Sequence, residues 1–378
     1  MQTRIEIISD AWVAELFKTD TLRAIGNFIV KHRKGTPIEL SRSHLVPQGK
    51  RVYFEPCPVY PTLRTKNESP LNLGPFILMD YIDHDTDLGK ALNTPTLNIE
   101  DHPLADILLH LSQLSLPRIG SLAQIDDFTW EVRRRPLSIG MNELVRLGTL
   151  PRSTLPTTTL ETTSSYFNAL AESHLEHLSH QRNDAVDSAN DCRRKFVSRK
   201  LFSELAREGR LTQSTNDHGP FTTWCDELRP LNAMVNKSLQ IVGAIDWEFT
   251  YAAPVEFSHA PPWWLVLEQP EYWPDGIDAW TKAFETRLQT FLEVLTERED
   301  IAMQQGRQSW VNGDFWVTYA ARKNYAFNTI FWKKLDHLFF GACTVAEEMS
   351  EEERHCMELV VRQKLEQIGK RALAWEPE

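Results

Sequence analysis

Two short segments constrain this chain more than any other part of it. The first reads Trp224-Cys225-Asp226-Glu227-Leu228-Arg229-Pro230-Leu231-Asn232. The second reads Ile241-Val242-Gly243-Ala244-Ile245-Asp246-Trp247-Glu248. Pro230 interrupts regular backbone. The apolar, partly β-branched run before Asp246 predicts a strand. A loop would then carry an acidic pair and an amide, and a rigid strand end would carry a further carboxylate. Phosphoryl transfer from a nucleotide needs this set of parts. One carboxylate accepts or orients the substrate hydroxyl, while an Asn and a second carboxylate hold Mg²⁺ against the phosphates.

The arrangement resembles the aminoglycoside phosphotransferase and choline-kinase-like branch of the protein-kinase-like fold, in a fungal subgroup. That branch usually reads His-Gly-Asp-x-x-Pro-x-Asn in the loop and Ile-Asp-Trp-Glu at the metal strand. Here Ile245-Asp246-Trp247-Glu248 matches the second motif. The segments Phe249-Thr250-Tyr251-Ala252-Ala253-Pro254 and Pro261-Pro262-Trp263-Trp264-Leu265 resemble the fungal subgroup. The resemblance places Glu227 at the catalytic base, because its distance to Asn232 matches the family spacing. Asp226 falls one residue out of register, and Glu227 is a residue longer by one methylene than the family's Asp. Asn232 and Asp246 become the Mg²⁺ ligands. Arg229 reaches a phosphate or pairs with an acid of the loop. Glu248 is open between a second metal, a cationic substrate and a turn cap.

Composition narrows the partners. Over 378 residues the formal net charge is -11, which argues against the clustered basic surface of a nucleic-acid binder. Arg133-Arg134-Arg135 and Arg193-Arg194-Lys195 read as solvated faces. The five cysteines are scattered without CxxC spacing and read as free thiols of a reducing compartment. No secretory pattern opens the sequence, and no apolar run reaches the ~18 residues of a membrane span. A cytoplasmic enzyme acting on a small molecule with a hydroxyl group is the expectation. No GxxxxGK[ST], GxSxG or HExxH occurs, so P-loop, serine-hydrolase and zincin chemistry have no support.

Along the chain, Ala11 to His32 reads as helix. From Ile38 to Asn72 the pattern is poor, and repeated prolines are expected to cut any strand short. Gly74 to Ile82 reads as a buried strand. By the resemblance it leads into a hinge whose backbone, at Met79, Asp80, Tyr81 and Ile82, meets the adenine edge of ATP. A helix over about Pro103 to Leu116, a hairpin over Ile119 to Val132, and long helices from Ser164 to Gly209 follow. His174, His177 and His180 share one side of such a helix and read as a polar face. Trp263 and Trp264 read as core or lobe surface, with an aromatic wall for a cationic substrate as the alternative. From Ile277 the chain reads as helical to Ala374.

The expected fold is α+β and two-lobed, with a reduced N-lobe and hinge strand over residues 1–82 and a helical C-lobe over 83–378. A kinase-like N-lobe needs a strand Lys paired to the phosphates and a helix Glu that positions it. Between Gly49 and Leu71 only Lys50 and Lys66 are available, and neither sits in a convincing strand. The resemblance therefore implies an ATP- and Mg²⁺-dependent phosphotransferase impaired in its N-lobe. A non-catalytic pseudokinase serving as a binding or scaffold module is the other reading.

Overall fold

The computed structural model describes residues 52–56, 76–80, 82–94, 104–126, 128–298, 300–341 and 349–368, with Lys18 and Asp20. The helix expected over Ala11 to His32, and Lys50, Lys66 and Tyr81, lie outside the described residues. The protein is mixed α+β, with short strands in small sheets among predominantly helical elements. The strands are β1 (Val52–Pro56), β2 (Phe76–Asp80), β3 (Thr86–Asp87), β4 (Ser121–Gln124), β5 (Trp130–Arg134), β6 (Phe221–Cys225), β7 (Ala233–Val235), β8 (Ile241–Ala244) and β9 (Thr250–Pro254). The helices that matter below are α1 (Leu88–Leu92), α2 (Leu104–Ser112), α3 (Ile139–Arg146), α4 (Thr163–His180), α5 (Ala189–Arg207), α6 (Val255–His259), α7 (Gly276–Arg298), α8 (Asp300–Asn312), α9 (Asp314–Arg322) and α10 (Glu351–Gln367).

Two compact units divide the chain. One comprises Met1–Thr86 with Met234–Gly243, and the other Asp87–Ala233 with Ala244–Glu378. In the first unit β1 pairs antiparallel with β2, Val52 opposite Asp80 and Pro56 opposite Phe76. This five-residue strand lies within the stretch where prolines were expected to cut any strand short, and it ends on one of them, Pro56. Val-Tyr-Phe has strong β preference, and Pro56 stands at the strand end, where the missing N–H donor costs least. The β3, β7 and β8 strands form a small sheet in that order. There the Asp85 N–H donates to the Val235 carbonyl at 2.8 Å. Gly243 in β8 is required by close packing, because Ile82 fills the space its Cβ would take.

In the second unit, α4 and α5 pack together and build much of the core. Thr162 and Ser188 cap their N-termini, accepting from the N–H groups of Ser165 and Asp191. Such caps contribute about 1 kcal/mol each. Tyr166, Phe167 and Leu170 are buried from α4, and Phe202 and Leu205 from α5. Each side chain of this size contributes ~1.5–3 kcal/mol when fully buried. Helix α10 opens on a capping box of Ser350 and Glu353. It also buries Lys364, whose ammonium donates at 2.7 Å to the carbonyls of Ser179 and Gln181 at the end of α4. A cation there satisfies orphan carbonyls and complements the helix dipole.

The histidine reading needs correction. His174 and His177 are fully buried rather than on a polar face. His174 lies against Phe327 with ring centroids 4.1 Å apart, and its Nε2 is 3.1 Å from the Ala321 carbonyl. His177 meets Tyr325 edge-on. Their ring faces, not their charge, are what the core uses. The basic runs do reach partners: Arg133 pairs with Glu131, Arg193 with Glu358 and Lys195 with Asp191. No described helix is long and apolar enough to cross a membrane.

Candidate functional site

Strand β6 pairs antiparallel with β9, Cys225 opposite Thr250, and this fixes where the acidic loop begins. After the loop, Pro230–Asn232 makes one 3₁₀ turn with Pro at its start. That turn buries Asn232, which is 6% exposed. The Asn232 Nδ2 donates to the Glu227 carbonyl at 2.9 Å, five residues back along the loop. The Asn232 carbonyl accepts from the Ile245 N–H at 3.0 Å. One residue therefore ties the acidic loop to the segment that carries Asp246. With Nδ2 committed, Oδ1 is the atom left for a ligand.

Asp246 sits in the left-handed region, with φ of 63°. Asp visits this region more readily than most residues, and a non-glycine residue held there is a feature often found at functional sites. The Cys225 thiol holds it by donating to the Asp246 carbonyl at 3.6 Å. The Asp246 carboxylate itself forms no hydrogen bond or ion pair among the described residues. Burial raises its pKa from the ordinary Asp value, and Glu248 adds to the rise while Arg229 opposes it. A partly desolvated carboxylate without a hydrogen bond, on the segment that Asn232 ties down, fits a hard cation such as Mg²⁺, which takes few protein ligands and completes its shell with water and phosphate. Among the described residues no three His, Cys, Asp or Glu side chains are disposed as a metal site of their own.

The two acids of the loop have different surroundings. Glu227 is 16% exposed, and its Oε2 accepts from Arg229 Nη2 at 3.1 Å. Burial raises its pKa; Arg229 and Lys323 oppose the rise, and Asp226 and Asp246 add to it. Glu227 thus shares an electrostatic neighbourhood with Asp246. Asp226 is committed elsewhere. Its Oδ2 accepts from the Ile139 N–H at the start of α3, at 3.0 Å. Its Oδ1 accepts from Trp224 Nε1 at 2.7 Å and from Arg322 Nη1 at 3.3 Å. Arg229 makes the ion pair within the loop, one of its two expected roles.

Glu227, Asp226, Arg229, Asn232 and Asp246 all belong to the second unit. The expected adenine contacts belong to the first. Met79 and Asp80 lie in β2, opposite Tyr53 and Val52. The Ile82 carbonyl is engaged by His84 Nδ1 at 2.7 Å. Trp264 is buried, and Trp263 lines a cavity beside the loop.

Sequence reasoning missed Arg322, Ile139 and Lys323. Arg322 spreads its guanidinium over Trp224 and Phe257, 4.6 Å from each ring centroid. Its partner Asp226 is far away in sequence, and no local pattern marks the pairing. No family model, curated protein or solved structure compared with the chain matches it.

Proposed function

We propose that this chain is an ATP- and Mg²⁺-dependent phosphotransferase, of two-lobed kinase-like architecture, acting on the hydroxyl group of a small molecule. The observation that carries the reading is the tie through Asn232, which links the Glu227 loop and the Ile245-Asp246 segment by two hydrogen bonds. Glu227 takes the role of base toward the acceptor hydroxyl. A carboxylate held partly out of water keeps a raised affinity for protons, as a base of this kind needs. Asn232 and Asp246 would hold Mg²⁺, which would neutralise phosphate charge. Arg229 steadies the Glu227 carboxylate. The hinge strand ending at Asp80, with Tyr81 and Ile82, would meet the adenine. A cytoplasmic location accords with ATP as co-substrate.

Turnover is expected to be slow. Between Gly49 and Leu71 only Lys50 and Lys66 could pair the phosphates, neither in a segment whose sequence reads as a convincing strand, and the loop has Glu where a shorter acid would be expected. Displacing a catalytic group on the ångström scale can cost about 10²-fold. These same two features favour the second reading, a non-catalytic pseudokinase serving as a binding or scaffold module. ADP release from Mg²⁺-ATP, measured on the purified chain with a panel of hydroxyl acceptors, separates them. Acceptor-dependent release that is lost in Glu227→Ala supports transfer. Release absent for every acceptor supports the binding or scaffold module.

A further inference from the structure

Beside the acidic loop the second unit holds a cavity of about 80 Å³. It has room for roughly six water-sized positions, taking ~10–15 Å³ for each. Its walls are mainly apolar, with Leu108 and Leu111 of α2, Trp263, Phe291 and Leu295 of α7, and Ala302 of α8. Among the polar residues that interrupt them, Ser112, Ser258 and Tyr319 spend their hydroxyls on hydrogen bonds within the protein, which leaves three others: Thr223 on β6, His259 at the end of α6, and Gln305 on α8. Among the described residues none of these three makes a side-chain hydrogen bond within the protein.

The charge of the walls is balanced. The ionised groups lining the cavity are Asp226 and Arg322, and they are paired to each other. Burial lowers the pKa of His259, so its imidazole is neutral at pH 7 and offers one donor and one acceptor. A cation would face the Arg322 guanidinium, and an anion would face Asp226. Either would lose hydration without gaining an uncommitted counter-charge. An apolar wall with a few uncommitted polar groups is the ordinary form of a small-molecule site.

We propose that this cavity binds an uncharged, ring-sized molecule carrying a hydroxyl or carbonyl group, its ring against Trp263 and Phe291 and its polar group toward Thr223, His259 or Gln305. The cavity is formed whether or not the loop transfers phosphate, so the site stands independently of the phosphotransferase reading.

The test compares phenol, benzoate and benzylamine, which share a ring and differ in charge. Each is titrated into the full chain by calorimetry and by tryptophan fluorescence, since Trp224 and Trp263 line the cavity. Phenol is expected to bind saturably, with a Kd of roughly 0.1–1 mM for so small a ligand, and the charged pair at least ten times more weakly. Ala302→Leu, which places a side chain in the cavity, should abolish phenol binding without lowering Tm. Should that variant fail to fold, Thr223→Val serves, weakening phenol several-fold and leaving toluene unchanged. Absence of saturable phenol binding, equal binding of benzoate or benzylamine, or undiminished binding in Ala302→Leu would each overturn the proposal.

Discussion

Arg322 Nη1 lies 3.3 Å from Asp226 Oδ1, with the two side chains only 12% and 5% exposed. The pair joins the last residue of α9 to the acidic loop. With the Ile139 N–H and Trp224 Nε1 on the same carboxylate, it spends both oxygens of Asp226 on structure. Removing one partner of a buried pair strands the other charge. Arg322→Met should therefore cost about 3–5 kcal/mol in urea denaturation. Adding Asp226→Asn to that variant should return more than half of the loss. If the double variant is no more stable than Arg322→Met, the stranded charge is not the cause.

The same commitment separates the two acids in function. Glu227→Asp should keep or raise any ATP turnover, because it shortens the proposed base by one methylene. Glu227→Ala should remove turnover and leave the fold intact, since its partner Arg229 is partly exposed. Kinetics and a thermal melt on the same samples decide this. Turnover that survives Glu227→Ala but is lost in a well-folded Asp226→Ala would move the base by one residue.

Asp246 should behave as a group kept for a ligand at the expense of the empty fold. Its folded pKa is raised, by burial first and then by Glu248. A carboxylate with a raised folded pKa binds protons more readily folded than unfolded, so its contribution to stability falls as pH rises through the two values. Asp246→Asn should therefore raise the Tm of the metal-free chain at pH 7. Asn also accepts φ of 63° readily. That backbone gain is independent of pH, whereas the charge part should vanish below about pH 4, near the unfolded pKa. A Tm gain that is the same at both pH values would leave only the backbone explanation.

The buried histidines give the opposite sign. Burial, with Arg199 nearby, lowers His174 to about 3 and holds His177 well below its ordinary value. Both stay neutral in the fold and bind protons once unfolded. Their contribution is complete above the unfolded pKa of about 6.5 and is lost as pH falls below it, by up to ~1.4 kcal/mol per pH unit for each. Among the described residues neither ring nitrogen of His177 has a hydrogen-bond partner. His177→Phe should keep the contact with Tyr325, and it should lose less stability than the parent between pH 6.5 and pH 5, the remaining loss falling to His174 and His259. Urea midpoints across that range measure it. An unchanged slope would mean that His177 is already protonated in the fold.

Much of the local structure is legible in the sequence, because it rests on local rules. The strand before Asp246, the hairpin after Ile119 and the paired helices α4 and α5 follow from side-chain period and turn residues. Strand β1 could not be placed from the poor local pattern between Ile38 and Asn72, because what marks it is its pairing with β2. The histidines escaped because a period of three or four marks a shared face without saying what that face meets. Asn232 and Asp246 could be singled out, but not the Nδ2 bond to Glu227 or the positive φ. Arg322 was invisible, since its role depends on a partner brought near only by folding.

The central claim is that Asp246 holds Mg²⁺-ATP. The most direct measurement is a thermal shift of the full chain with Mg²⁺-ATP, with ATP and EDTA, and with neither, for the parent and for Asp246→Ala. Ligand that binds only the folded state should raise the parent's Tm with the logarithm of its concentration above Kd, a stabilisation of about 2.7 kcal/mol at a hundred times Kd. The account predicts that rise with Mg²⁺ present, little of it with EDTA, and none in Asp246→Ala. An equal rise in the parent and in Asp246→Ala would contradict it.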